Sequence, residues 1–218
     1  MCDEEQEFAS NPQKVIQHFR EKILNNPLKL SGMHFNNVVC TGILSENVYL
    51  SHLPKNYPAM SYHPKNFSAV SFKIINPKAT CHIFSSGKVV VTGALCIWGV
   101  KFALILLCDM LRNVQPNIHL ISYELQNTVT DPWAGAPLCL PIIHHLFSIQ
   151  CAYDKKQYPG LIYRTDEQRF TLTFYRTGII HIAGCHSLED LKRAKRVFEH
   201  VIERYQAYLL SGGTTTIT

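Results

Sequence analysis

Apolar and polar residues alternate with a period of two over several short runs of the chain, and at two places this gives way to a helical period. A β-branched stretch over 35–41 predicts a strand. Residues 69–75, punctuated by Asn76-Pro77, then 79–84 and 89–92 predict three more, the last two joined by the turn Ser85-Ser86-Gly87-Lys88. A greasy helix is predicted over 96–113. The plan then recurs: a strand over 120–130, a proline-rich connection through Pro141, strands over 160–165, 170–175 and 179–183, and a final helix. That helix carries the clearest signals, a capping box at Ser187 and Asp190 and apolar residues at helical spacing from Leu188 to Tyr205. The stretch SENVYLSHLPKNYPAM between the first strand and the meander reads as irregular or helical. Residues 1–32 read as polar and loosely attached, with helical spacing in VIQHFREKIL (15–24) that would let them dock.

The recurrence is literal. YHPKNFSAVSFKIINPKATCHIFSSGKVVVTG (62–93) reappears 91 residues later as YDKKQYPGLIYRTDEQRFTLTFYRTGIIHIAG (153–184). Phe67 pairs with Tyr158, Phe72 with Tyr163, Lys73 with Arg164, Phe84 with Tyr175, Gly87 with Gly178 and Gly93 with Gly184. Asn37-Val38-Val39 and Asn127-Thr128-Val129 repeat at a spacing of 90, so the upstream strand is duplicated as well. Two copies are too few for a solenoid. The expected fold class is α+β, with two pseudo-symmetric repeats sharing one antiparallel sheet about a pseudo-two-fold axis and helices on one of its faces. The expected boundaries are a polar segment at 1–32, repeats at 33–118 and 119–210, and a flexible tail at 211–218.

Helices on one face leave the other face of such a sheet uncovered. Following alternate residues from the strand ends gives the uncovered set: Asn37, Val39, Thr41, Thr80, His82, Phe84, Val90 and Thr92, then Asn127, Val129, Thr171, Thr173, Tyr175, His181 and Ala183. The set is small and uncharged. Lacking Arg and Gln, it would read a major groove poorly, but it suits the shallow minor groove, whose pattern is degenerate. Basic residues, among them Lys73 and Arg164, fall at the borders where phosphates would run.

The bulk numbers agree without deciding the matter. The chain has 218 residues, is 46% hydrophobic and 17% charged, and carries a formal charge of +5, which permits a polyanionic partner. Eight cysteines are scattered without CxxC spacing, as expected of reduced, buried thiols. The beginning MCDEEQEFASNPQ lacks the basic-then-apolar order of a signal peptide, and the longest apolar run, 94–107, is interrupted by Lys101 and too short to span a bilayer. Cys139, His144, His145 and Cys151 lie close in sequence, but their irregular spacing favours incidental clustering over a metal site. Neither a nucleophile–base pair nor a phosphate loop is duplicated, so an enzyme is not expected and no cofactor is implied.

NFSAVSFKIINPKATCHIFSSGKVVVTGA and QYPGLIYR resemble the signatures of the TATA-box-binding protein family, and the similarity extends from about Met33 to Leu210. This family exemplifies minor-groove wedging. The resemblance implies that the shared sheet is one curved antiparallel sheet, a saddle with the helices on its convex face. It also implies a nuclear general transcription initiation factor that binds and bends core-promoter DNA and nucleates preinitiation complex assembly. Carried over position by position, it makes Phe67 with Phe84, and Tyr158 with Tyr175, the two wedges. Asn37 and Asn127 become central donors to groove acceptors, Val39, Val129, Val90, Thr92 and Thr80 the apolar floor, and Lys73 and Arg164 phosphate contacts. Without the resemblance, the aromatics would be read as core residues.

Several positions depart from the family. Tyrosines replace phenylalanines in the second half, where a wedged phenol must keep its hydroxyl bonded or accept a cost of roughly 1 to 3 kcal/mol. His82 and His181 stand at floor positions that are aliphatic in the family, Ala183 replaces a threonine, and Asp131 brings a negative charge to the groove edge. The second stirrup, which resembles a docking site for a transcription factor IIB-like partner, carries Asp154, Lys155, Lys156 and Gln157 in place of an acidic, leucine-bearing segment. The helix over 96–113, basic in the family and a contact for regulators, keeps Lys101 but adds Trp98 and other apolar residues. Either a constitutive partner or residues 1–32 would cover it. Promoter DNA and factors resembling transcription factors IIB and IIA are the implied partners, in the nucleus or at a viral transcription site. The rival reading is a divergent protein-interaction scaffold with weak or altered DNA binding.

Overall fold

The computed structural model describes residues 11–25, 34–164 and 169–213. Within them the chain forms two compact units, one of Phe35–Val129 and one that joins the N-terminal residues to Thr130 and beyond.

In the Phe35–Val129 unit, strand β1 (Phe35–Leu44) is followed by a 3₁₀ turn at Leu50–His52, the short helix α2 (Leu53–Asn56), and strands β2 (Met60–Tyr62), β3 (Ala69–Ile74), β4 (Ala79–Phe84) and β5 (Lys88–Ala94). Helix α3 (Ile97–Arg112) and strand β6 (Leu120–Thr130) follow, and α1 (Pro12–Asn25) precedes β1 in the chain. The strands run in the hydrogen-bonded order β2-β3-β4-β5-β1-β6, which brings the two duplicated Asn-X-Val strands side by side. Alternation assigns the faces. Val70, Phe72, Cys81, Ile83, Val89 and Val91 are buried beneath Val100, Ala103, Leu104, Leu107 and Leu111 of α3, while Ser71, Thr80, His82, Val90 and Thr92 point to the other side and stay partly open. The 96–113 helix starts as predicted, with Cys96 as N-cap and its Sγ accepting from the Gly99 amide at 3.2 Å.

The other unit repeats the arrangement. Helix α4 (Leu140–Leu146) leads to strands β7 (Cys151–Ala152), β8 (Leu161–Tyr163), β9 (Thr171–Phe174) and β10 (Ile180–Ala183), ordered β10-β9-β8-β7, and then to α5 (Leu188–Leu210). Leu161, Leu172, Phe174, Ile180 and Ile182 are buried, as are Leu191, Ala194, Phe198, Val201, Ile202 and Tyr205 of α5. Tyr205 is fully buried without an orphaned hydroxyl, because that oxygen accepts from the Cys139 amide at 3.0 Å. Ser187 caps α5, accepting from the Asp190 amide at 3.0 Å. Asp190 reaches back one residue further than a standard capping box, to the His186 amide.

Three features differ from the expected elements. The proline-rich connection contains α4, since proline is tolerated in the first turn of a helix, where its missing N–H has no intrahelical partner. Strands β2 and β7 were not anticipated; at three and two residues they are too short to show a period. The expectation of a loosely attached N-terminal segment is corrected for its described part. The helical spacing over 15–24 is a real helix, α1, whose Val15, Ile16 and Phe19 are buried and which packs on α5. The expected polar segment at 1–10 and 26–32 and the tail beyond Gly213 lie outside the described residues.

Phe19 fills an enclosed site, so Phe19→Ala is expected to lower the unfolding free energy by roughly 3 kcal/mol, read as a lower urea midpoint with an unchanged slope.

Candidate nucleic-acid interface

The duplicated turns set the aromatic pairs. In one unit the amides of Asn66 and Phe67 both donate to the His63 carbonyl at 2.9 Å; in the other, those of Gln157 and Tyr158 donate to the Asp154 carbonyl at 3.0 and 2.9 Å. The Asp154 carboxylate also accepts from the Lys156 amide at 2.9 Å, which tightens the second turn. At the far end of each hairpin, Gly87 and Gly178 donate to the Phe84 and Tyr175 carbonyls with φ of +80° and +88°. These are left-handed conformations that glycine adopts without strain. A Cβ on Gly87 would also meet the Glu46 carbonyl oxygen at 2.6 Å, and one on Gly178 the Ala136 carbonyl oxygen.

These turns bring Phe67 and Phe84 together edge-to-face, with centroids 6.0 Å apart, and Phe67 meets the His82 ring at 5.3 Å. Phe67 is nonetheless 44% exposed. A phenylalanine held that open by a structured turn is not a core aromatic. Tyr158 and Tyr175 make the corresponding pair, with centroids 6.4 Å apart and hydroxyls 2.6 Å apart. Beneath them lies Gly160, where a Cβ would meet Thr173 at 2.6 Å and the two tyrosine rings at 2.9 and 3.1 Å, so glycine is what lets the rings converge. That role is legible only once the rings are in place. The bond to Tyr158, then burial and the nearby Tyr158 and Asp131, push the Tyr175 phenol up to about 12.

The predicted floor residues share the uncovered face of their own units. In the Phe35–Val129 unit these are Asn37, Val39 and Thr41 of β1, Thr80, His82 and Phe84 in β4, Val90 and Thr92 in β5, and Asn127 and Val129 in β6, all partly open. Asn37 is oriented: its Oδ1 accepts from the Gly93 amide at 2.8 Å and from Thr92 Oγ1 at 3.4 Å. Ser71, which the residue tracing passed over, stands opposite His82 and meets its Nδ1 at 3.1 Å. Burial lowers the titration of the His82 imidazole. In the other unit, Thr171 and Thr173 of β9, Tyr175, and His181 and Ala183 of β10 share the face, with Thr173 the most enclosed. Asp131 does more than border the site: its Oδ1 holds His181 Nδ1 at 2.6 Å. Lys73 and Arg164 are exposed.

The residues expected to meet partners lie elsewhere. Asp154, Lys156 and Gln157 are exposed and Lys155 is partly so. On α3, Trp98 is 63% exposed and stacks on Phe102 at 5.2 Å, and Ile105 lies one turn on, also exposed. Lys101 sits 5.6 Å from the centre of the Tyr123 ring, and the hydrogen bond and charge of that tyrosine raise its titration. The described N-terminal residues pack on α5. His144 and His145 face different aromatics, Tyr153 and Tyr208.

The chain matches the family described as Transcription factor TFIID (or TATA-binding protein, TBP) twice, over residues 32–114 and 122–205. It is 31% identical over 157 residues to a TATA-box-binding protein of Methanothermobacter thermautotrophicus, covering 72% of this chain and 86% of that one. It is 31% identical over 182 residues to TATA-box-binding protein 2 of Haloferax volcanii, covering 83% and 96%, and 29% identical to TATA-box-binding protein 2 of Entamoeba histolytica, covering 80% and 82%. Among solved structures, Methanococcus jannaschii TBP superposes with a TM-score of 0.67 at 26% identity, over 80% of this chain and 99% of that one.

A folded-state phenol above its unfolded value, near 10, stabilises the fold at lower pH, and that contribution is lost as pH climbs through about 12. Tyr158→Phe removes the hydroxyl bond, so Tyr175 is expected to ionise at lower pH, read as an earlier rise in phenolate absorbance.

Proposed function

The chain belongs to the TATA-binding protein family, and we propose that it is a general transcription initiation factor that binds core-promoter DNA through the minor groove, bends it and nucleates an initiation complex. The observation that carries this is the duplicated pair of partly open aromatics, Phe67 with Phe84 and Tyr158 with Tyr175, at the edges of an uncharged sheet face. Apolar side chains of this kind enter a base step and unstack it. The repeats are taken as 33–118 and 119–210.

In this reading Phe67 and Phe84 open one step, and Tyr158 and Tyr175 another. The hydroxyl bond within the tyrosine pair satisfies one of its two donors as it leaves water, which reduces the desolvation cost of a phenol wedge. Asn37, whose oxygen is engaged by Gly93, has its amide hydrogens for adenine N3 or thymine O2, both acceptors. Asn127 would play the matching part. Val39, Thr41, Thr80, His82, Val90, Thr92, Val129, Thr171, Thr173, His181 and Ala183 form the floor, and Lys73 and Arg164 hold phosphates.

A transcription factor IIB-like protein with a surface adapted to Lys155, Lys156 and Gln157 would dock at the second stirrup around Asp154, and a factor IIA-like protein elsewhere on the molecule. The stripe around Trp98 and Lys101 is assigned to a constitutive partner, as an exposed apolar patch suggests. The place of action is the nucleus, or the viral transcription site if the source is a virus. The polar second wedge and altered stirrup favour, as the alternative, a scaffold that bends DNA little.

The deciding experiment compares bending and salt-dependent affinity on a doubly end-labelled TATA duplex for the wild-type chain and the Phe67→Ala, Phe84→Ala double variant. Minor-groove wedging requires a bent wild-type complex, with the variant losing the bend and at least 10-fold in affinity. Unbent binding that is indifferent to the substitutions would leave the scaffold reading in place.

A further inference from the structure

His181 is placed as a hydrogen-bonding residue on a floor of valines, threonines and an alanine that holds one other histidine, His82. It lies on the uncovered face of β10, between the buried Ile180 and Ile182, and its counterpart 91 residues earlier is Val90. Asp131 Oδ1 holds its Nδ1 at 2.6 Å, and both side chains remain partly exposed, at 40% for His181 and 32% for Asp131. A carboxylate only accepts, so Nδ1 must carry a hydrogen. The second nitrogen, Nε2, is then a bare acceptor when the ring is neutral and a donor when the ring is protonated.

The minor groove makes that difference legible. A·T and T·A pairs offer only acceptors there, and a G·C pair adds one donor, the guanine N2 amino group. An apolar floor residue offers nothing to that amino group, and a fixed donor would repel it. A neutral His181 held by Asp131 accepts from it.

We propose that His181, positioned by Asp131, is a specificity-determining residue that favours a guanine-bearing base pair at one position of the half-site under the Thr130–Thr218 unit. The inference rests on the minor-groove reading above and assigns to one floor residue the readout of one base pair. The imidazole has these neighbours among the described residues of its own unit. Asp131 comes from the segment after β6. From β9 comes Thr173, paired with His181 across the ladder and unable to titrate; the phenol of Tyr175, just beyond β9, feels the Asp131 charge but stays protonated well above neutral pH.

The test walks a single G·C pair, and in parallel a single inosine·C pair, through a TATA-type duplex and measures affinity for the full chain at pH 8. Inosine lacks only the N2 amino group, so the comparison isolates that atom. One position is expected to favour guanine over inosine by roughly 3- to 10-fold at pH 8, the worth of one hydrogen bond. His181→Val, which restores the first-repeat residue, is expected to abolish the difference at pH 8, and Asp131→Asn to weaken it by freeing the ring to present either nitrogen. Equal affinity for the guanine and inosine duplexes at every position, or discrimination unchanged in His181→Val, would overturn the proposal while leaving minor-groove binding intact. If the wild-type chain binds all duplexes unbent and without preference, the minor-groove reading fails first and this inference falls with it.

Discussion

A β-strand sends successive side chains to opposite faces, and everything distinctive about this protein follows from what that alternation separates. One set of residues, Cys81, Ile83, Val89 and Val91 with their counterparts Leu172, Phe174, Ile180 and Ile182, is buried under helices and supplies the apolar area that holds each unit together. The other set, interleaved with it, has no helix over it among the described residues and is free to be chosen for a different purpose. A register slip of one residue would exchange the two sets. The core therefore fixes the interface: burying the first set forces Asn37, Val39, His82, Val90, His181 and Ala183 into view.

The turns complete what alternation begins. Paired donors to His63 and Asp154 place Phe67 and Tyr158, and Gly87 and Gly178 turn the hairpins that carry Phe84 and Tyr175. The same local hydrogen-bond geometry is built twice from different residues, which is why the second copy tolerates tyrosines, a Lys-Lys pair and Gly160 without losing the arrangement. The bond between the two tyrosine hydroxyls satisfies one of the pair's two donors within the protein.

The architecture was legible in the sequence where its signal is periodic or repeated. Strands β3 to β5 alternate, β6 lies over the residues expected of it, α5 carries a helical stripe and a cap, and the 91-residue interval ties the halves together. What stayed hidden is short or depends on residues far apart in the chain. Strands β2 and β7 are too brief for a period, α4 sits behind a proline that reads as a break, and an apolar stripe on α1 does not say that α5 will receive it. Within the site, the two faces were readable. The Asp131–His181 bond joins residues 50 positions apart, and the packing at Gly160 exists only after two loops converge. Sequence tracing finds which side chains share a face, and folding decides which of them touch.

The central claim is that each repeat opens a base step from the minor groove. The most direct measurement places 2-aminopurine at successive positions of a promoter duplex and records its fluorescence as the protein is added. Two separated positions of strong enhancement, one removed by Phe67→Ala with Phe84→Ala and the other by Tyr158→Ala with Tyr175→Ala, are the expected result. Fluorescence that stays quenched at every position in a saturated complex would contradict the account.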